Sequence, residues 1–368
     1  MAARDDIDFR VFFAMLPDAA AQGAGFGVEF TWDIPLLEGY PYHVLKNISA
    51  QPSVTHFRGC DTPDITDELQ RHQIDVVVVN GWVVKTCLQT LWACRKLGIP
   101  CIVRGEANNL RDRARWKRWL QRQLVRRYDA FLPIGSASRQ FYRQHGIAET
   151  RLFDSPYCIE NERFAKAAAT ALLRKTAIQQ RWGLSEDRLC LLYCGKFETK
   201  KHPVELVKAI AAAKQRGANL QLLMVGDGEL RRECEDFSKK HDLPIQFTGF
   251  LNQSEIVDAY VAADVLALPS DAGETWGLVV NEAMACGLPA IVSNRVGCAE
   301  DLIVPDETGW VFPFGDWPEL IACMEHASQN VGRVRAMRTA CIERIKGFTP
   351  QIAADGIVQA VGFATRRC

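Results

Sequence analysis

The feature that most constrains this chain is an alternation of short aliphatic runs with longer segments of helical period. Runs such as Val76-Val77-Val78-Val79 have no polar face, so they suit strands covered on both sides by crossover helices. In the first half, strands are expected at Arg10–Leu16, Val54–Phe57, Ile74–Val79, Cys101–Arg104 and Ala130–Ile134, with helices at Val84–Leu97, Arg111–Tyr128 and Ser136–His145. The Ala-, Lys- and Arg-rich stretch Asn161–Trp182 reads as a connection, after which the alternation resumes with strands at Leu189–Cys194, Leu220–Val225, Ile245–Thr248, Val265–Leu268 and Ala290–Ser293. The fold class is therefore α/β, with two doubly wound parallel-sheet domains. A length of 368 residues suits two such domains. Their expected limits are residues 1–165 for the first and 166–347 for the second. A C-terminal helix over 348–368 is free to pack back on the first.

In doubly wound sheets ligands sit beyond the carboxyl ends of the strands, so chemistry belongs in the loops that follow them. Composition narrows what that chemistry is. Lys plus Arg and Asp plus Glu each total 44, which excludes bulk attraction to nucleic acid and requires any bound anion to have a local site. The thirteen cysteines contain no Cys-x-x-Cys, and the seven histidines no His-x-x-x-His. The chain is read as metal-free, reduced and cytoplasmic. Its N-terminus carries Asp5, Asp6 and Asp8 where a signal peptide would be basic, and no apolar run approaches the ~18 residues that cross a bilayer. The one Asp-x-Asp, Asp6-Ile7-Asp8, reads as a solvated terminus.

The densest chemistry lies between Ser270 and Pro289. Glu274 precedes a helix opened near Gly277, and Glu282 falls on its second turn. The backbone N–H groups of Gly277, Leu278 and Val279 would face a phosphate at that helix start. The two carboxylates suit hydroxyl pairs of a sugar, although on spacing alone they read equally as surface charges. After Leu189–Cys194 comes Gly195-Lys196-Phe197-Glu198-Thr199-Lys200-Lys201. Lys196 and Lys201 supply two cations for a diphosphate, or else a solvated lysine-rich helix start.

The string Glu274-Thr275-Trp276-Gly277-Leu278-Val279-Val280-Asn281-Glu282-Ala283-Met284-Ala285-Cys286-Gly287-Leu288-Pro289 resembles the Glu-x7-Glu signature of the retaining glycosyltransferases of family 4, with Thr275 and Trp276 in place of the usual Gly and Phe. The resemblance extends to Gly195, Lys196 and Lys201, to Val225-Gly226-Asp227-Gly228-Glu229-Leu230 and to Phe247-Thr248-Gly249-Phe250. It implies a GT-B fold, two Rossmann-like domains facing a central donor cleft. It also implies transfer of a sugar from a nucleoside diphosphate, uridine being the usual base, to an acceptor hydroxyl of a glycan, a lipid-linked carrier or a small molecule. Glu274 would then contact the transferred sugar, Glu282 the ribose diol and Phe250 the base, with Lys196 and Lys201 on the leaving diphosphate and no metal or cofactor needed. A phosphorylase or nucleotide-sugar epimerase of the same fold, and a non-catalytic protein binding nucleic acid or membrane, are the alternatives.

In the first domain, Gln22-Gly23-Ala24-Gly25-Phe26-Gly27 reads either as a flexible loop or as the family's diphosphate-contacting loop through Gly23 or Gly25. Many relatives place a His where this chain has Val103-Arg104-Gly105-Glu106. Glu106 is the candidate for the polar group beside the reacting carbon, and Arg104 for contact with an acidic acceptor. Trp32–Tyr40 reads as an acceptor-side loop. The basic stretch Arg111–Arg127 sets Trp116, Trp119, Leu120 and Leu124 at helical spacing, which suits either packing on the sheet or contact with an anionic membrane surface.

Overall fold

A computed structural model describes residues 1–366 apart from 24 and 112. Contacts divide the chain into two compact units, one made of Met1–Gln22, Pro35–Pro156 and Gln351–Cys368, the other of Gly23–Ile34 and Tyr157–Pro350.

The first unit holds two parallel sheets. β1 (Val11–Phe13) pairs with β2 (Tyr42–Val44), while β3 (Val77–Asn80), β4 (Cys101–Gly105) and β5 (Ala130–Pro133) form a second sheet in that order. The strand expected at Val54–Phe57 is absent. Val54 is exposed, and the chain there folds into a tight loop in which the Ser53 N–H donates to the Gly59 carbonyl at 3.0 Å. β2 takes its place, a strand of three residues that is too short to announce itself by pattern. The helix Pro350–Thr365 covers one face of the second sheet, packing Ala360 and Ala364 on Ile102, Ala130 and Leu132. It comes so close that a Cβ on Gly356 would stand 1.8 Å from the Asp154 carbonyl oxygen.

The second unit is a six-stranded parallel sheet: β6 (Leu189–Cys194), β7 (Leu220–Val225), β8 (Ile245–Gly249), β9 (Val265–Leu268), β10 (Ala290–Ser293) and β11 (Gly309–Phe312), in the order β11-β10-β9-β6-β7-β8. The reversal between β6 and β9 puts the first strand of the unit at the centre, where the loops after β6 and β9 are neighbours. β6, β7, β9 and β10 are buried along their whole length, as their unbroken aliphatic runs require. Asp264 fixes the register of the central pair by accepting the Cys190 N–H at 3.0 Å.

Replacing Gly356 with Ala should force the helix Pro350–Thr365 off the sheet and cost about 2 kcal/mol or more. A lowered midpoint in thermal or urea unfolding checks this, and a stability equal to wild type would contradict the close approach.

Candidate active site

The loops after β6 and β9 are joined by an ion pair between Lys201 and Glu274, with side chains only 13% and 15% exposed. Ser270 Oγ stands 3.5 Å from the same Glu274 oxygen, and the Asp271 N–H donates to the Lys200 carbonyl at 2.9 Å, so backbone and side chains both tie the loops together. On its other side the Glu274 loop is strapped to the loop after β10. The Gly297 N–H donates to the Glu274 carbonyl at 3.1 Å, and a Cβ on Gly297 would stand 1.8 Å from the Thr275 carbonyl oxygen.

Gly195 and the Gly226-Asp227-Gly228 turn come together for a steric reason. A Cβ on Gly226 would lie 2.0 Å from the Gly195 carbonyl oxygen, and one on Gly228 would lie 2.9 Å from that of Gly25. Glycine alone allows these approaches. Gly25 thus belongs to the second unit and stands beside Lys196, whose ammonium sits 5.0 Å from the centre of the Phe26 ring and 3.9 Å from Glu198. Gly23 ends the helix Ala19–Gly23, its Cα against the Val28 carbonyl. A cavity of about 400 Å³ is lined by Gly25, Glu198, Thr199, Lys200 and Glu229.

Gly277, at φ 97°, opens the helix Leu278–Ala285. Leu278 is exposed and Val279 half-buried. Trp276 is buried, donating from Nε1 to Asn281 at 2.8 Å and meeting the Tyr157 ring edge-on at 6.0 Å. That locks the loop from behind, so the Trp in the signature is a packing residue. Glu282 accepts a hydrogen bond from Tyr260 Oη at 2.5 Å, and the same hydroxyl lies 3.7 Å from Cys194 Sγ at the end of β6. Burial pushes the Glu282 carboxyl above its ordinary value, with hydrogen bonds from Tyr260 and Gln253 partly opposing it.

Phe250 stacks on Phe30 with ring centres 4.1 Å apart, and Phe26 and Trp32 close around it. Asn252 and Ser254 hold this strap by donating to the Thr31 carbonyl and the Asp33 carboxylate. The sequence pattern hid this cluster, because its members come from distant segments. Tyr260 was equally hidden in a helix that reads as core.

Arg104 and Glu106 lie in the first unit, at and just after the end of β4. Arg104 donates from Nε to Ser155 Oγ at 3.1 Å and from Nη2 to the Ser155 and Pro156 carbonyls at 3.3 Å. Glu106 is exposed. The basic helix is shorter than expected, Arg115–Val125. Val125 is buried and Leu124 packs on the core of the first unit, as the packing alternative expects, whereas Trp116, Trp119 and Leu120 are all half or more exposed and do not follow it. Beside that helix is a cavity of about 360 Å³ lined by Asn109, Arg111, Arg113, Arg118, Trp119, Arg122, Gln144 and His145. Among the described residues, no helix is long and apolar enough to cross a membrane.

Residues 174–347 match the family model described as Glycosyl transferases group 1. The chain is 32% identical over 191 residues to the GDP-mannose-dependent alpha-(1-6)-phosphatidylinositol dimannoside mannosyltransferase of Mycobacterium tuberculosis (strain ATCC 25177 / H37Ra), covering 51% of this chain and 48% of that protein. It is 30% identical over 255 residues to a GDP-mannose-dependent alpha-mannosyltransferase of M. tuberculosis (strain CDC 1551 / Oshkosh), covering 65% and 62%. It therefore spans roughly half to three fifths of the length of these curated relatives. Among solved structures, a glycosyltransferase from Rickettsia africae matches at a TM-score of 0.70 with 14% identity over 88% of this chain and 85% of that one. Anabaena HepE in complex with UDP matches at 0.70 with 17% identity over 88% and 86%. The fold is GT-B, as the motifs imply.

The raised Glu282 carboxyl carries a stability consequence. A carboxyl whose folded value lies above its unfolded one adds stability when protonated, and that contribution is lost as pH rises through the folded value. Glu282→Gln should therefore raise the unfolding midpoint at pH 7, with the gain shrinking as pH falls through the folded value and largely gone by about pH 4, where the unfolded carboxylate has also taken its proton. Thermal unfolding at both pH values checks this, and an equal shift at both would contradict it.

Proposed function

We propose that this chain is a retaining glycosyltransferase that moves a sugar from a nucleoside diphosphate to an acceptor hydroxyl. The observation that carries the proposal is the ion pair of Lys201 with Glu274. It supports the reading because a lysine suited to phosphate and a carboxylate suited to sugar hydroxyls meet at one point, between the loops of two adjacent central strands.

A bound donor would offer Lys201 a diphosphate oxygen in exchange for Glu274, freeing that carboxylate to accept from the sugar. Lys196, flanked by Gly25 and Phe26, adds the second cation, and the N–H groups of Gly277, Leu278 and Val279 add the positive end of a helix. Together they stabilise the negative charge that grows on the departing nucleotide as the glycosidic bond breaks. Glu282 is assigned to the ribose diol, steadied by Tyr260. Phe250 is assigned to the base, an assignment that requires the Phe30 ring stacked on it to give way or to share the contact. On this reading the second unit is the donor side and the first the acceptor side, with Glu106 the polar group nearest the family's histidine position in sequence.

The donor base is guanine or uracil. Uridine is the usual base of family 4, whereas the two mycobacterial relatives are named for GDP-mannose, which supports that donor as the first to examine. The relative named for phosphatidylinositol dimannoside also supports a lipid-linked acceptor. So do Trp116, Trp119 and Leu120, exposed on a helix that also carries Arg115, Lys117, Arg118 and Arg122. Aromatic and basic residues presented together suit an anionic bilayer surface.

Thermal unfolding against GDP-mannose and a panel of UDP-sugars should show one donor raising the midpoint. Lys196→Ala and Glu274→Ala should remain folded and lower sugar transfer from that donor by about 100-fold or more. Full transfer by either variant would overturn the assignment, and glycoside formed without stoichiometric release of nucleoside diphosphate would count against a transferase. In flotation with vesicles containing anionic lipid at low salt, the protein should float, and a variant with Trp116 and Trp119 both changed to Ser should not. A wild-type protein that stays at the bottom would remove the membrane contact.

A further inference from the structure

Away from these loops, in the first unit, three side chains with metal-binding atoms converge. Glu68 and His72 share one side of the helix Ile65–Arg71 and the residue that caps it, and His43 reaches them from β2. His43 Nε2 lies 3.4 Å and His72 Nε2 3.5 Å from the same oxygen, Glu68 Oε2. All three ligand atoms fall within 4.8 Å of one another. In a tetrahedral site with bonds near 2.0–2.1 Å, ligand atoms stand about 3.3 Å apart, so the two measured separations are those of atoms sharing one ion.

A second observation points the same way. Glu68 is only 5% exposed, yet its Oε2 is buried with no hydrogen-bond partner. A buried carboxylate oxygen left so is costly unless something binds it. Its other oxygen is spoken for, since Arg71 Nη1 donates to Oε1 at 2.6 Å. The carboxylate is thereby held with Oε2 directed at the histidines, as outer partners orient metal ligands elsewhere. Phe12 of β1 packs edge-on against both imidazoles, with ring centres at 6.0 Å from His43 and 5.6 Å from His72.

We propose that His43, Glu68 and His72 bind a divalent first-row transition ion, zinc first among them, through two imidazoles and one carboxylate. The half-exposed edge of His43 leaves a fourth position for water. The ion clamps β2 to the helix Ile65–Arg71. β1 and β2 form a two-stranded sheet of three residues per strand, a unit with little stability of its own, so the clamp fixes what the short ladder alone does not. The spacing along the chain conceals the trio, because Glu68 and His72 are one helical turn apart while His43 is brought in by a different element.

Isothermal titration of the full chain, first stripped with chelator, should show one zinc bound per chain at micromolar affinity or better. Magnesium should give no comparable heat. Zinc should raise the unfolding midpoint by several degrees. His43→Ala, His72→Ala and the isosteric Glu68→Gln should each weaken zinc at least tenfold while keeping the wild-type circular dichroism. Cobalt loaded in place of zinc should give a tetrahedral ligand-field spectrum with no thiolate charge-transfer band, separating this site from the free cysteines. Absence of zinc binding, unchanged affinity in folded variants, or a thiolate band from bound cobalt would each overturn the proposal.

Discussion

Burial of the central strands on both faces is the constraint on which the second unit depends. Once β6, β7, β9 and β10 are covered by helices, polar groups have no place along them and collect in the loops at their carboxyl ends. The order β9-β6-β7 then decides which loops meet. Lys201 follows β6 and Glu274 follows β9, so an ion pair between residues far apart in the chain is a consequence of strand order. Glycine completes the arrangement, because the close passage of Gly226 by Gly195 and of Gly228 by Gly25 leaves no room for a side chain.

The same packing explains how the proposed donor groups are held before any donor arrives. Trp276 fills the space behind the Glu274 loop and is pinned to Asn281, while Gly297 lets the loop after β10 press against Thr275. Tyr260 links Glu282 to the end of β6. A buried aromatic residue thus stands behind each carboxylate, Trp276 in the Glu274 loop and Tyr260 bonded to Glu282.

Much of this could be read from the chain. The unbroken runs of β6, β7, β9 and β10 marked their own positions, and Gly195, Lys196, Lys201, Glu274 and Glu282 stood in a pattern dense enough to carry a resemblance to the family 4 glycosyltransferases. What escaped was short or assembled from afar. β2 and β11 are strands of three and four residues with no pattern long enough to show. Val54–Phe57 had the residue types of a strand, but no neighbouring strand pairs with it. The bonds of Arg104 to Ser155 and Pro156 join segments too far apart in the chain for any pattern to show. The stack of Phe30 on Phe250 and the meeting of His43 with Glu68 join segments whose separation carries no periodicity. Trp116, Trp119 and Leu120 had helical spacing that is usual for core packing, and only the structure shows them outside it.

The central claim is that the loops after β6 and β9 hold the diphosphate of a sugar donor. Hydrogen–deuterium exchange with and without saturating GDP or UDP tests it most directly, because it reports the backbone of each loop separately. The account predicts slowed exchange over residues 194–202 and 273–283 with one of these nucleotides. Slowed exchange confined to other segments, or none with either nucleotide, would contradict it.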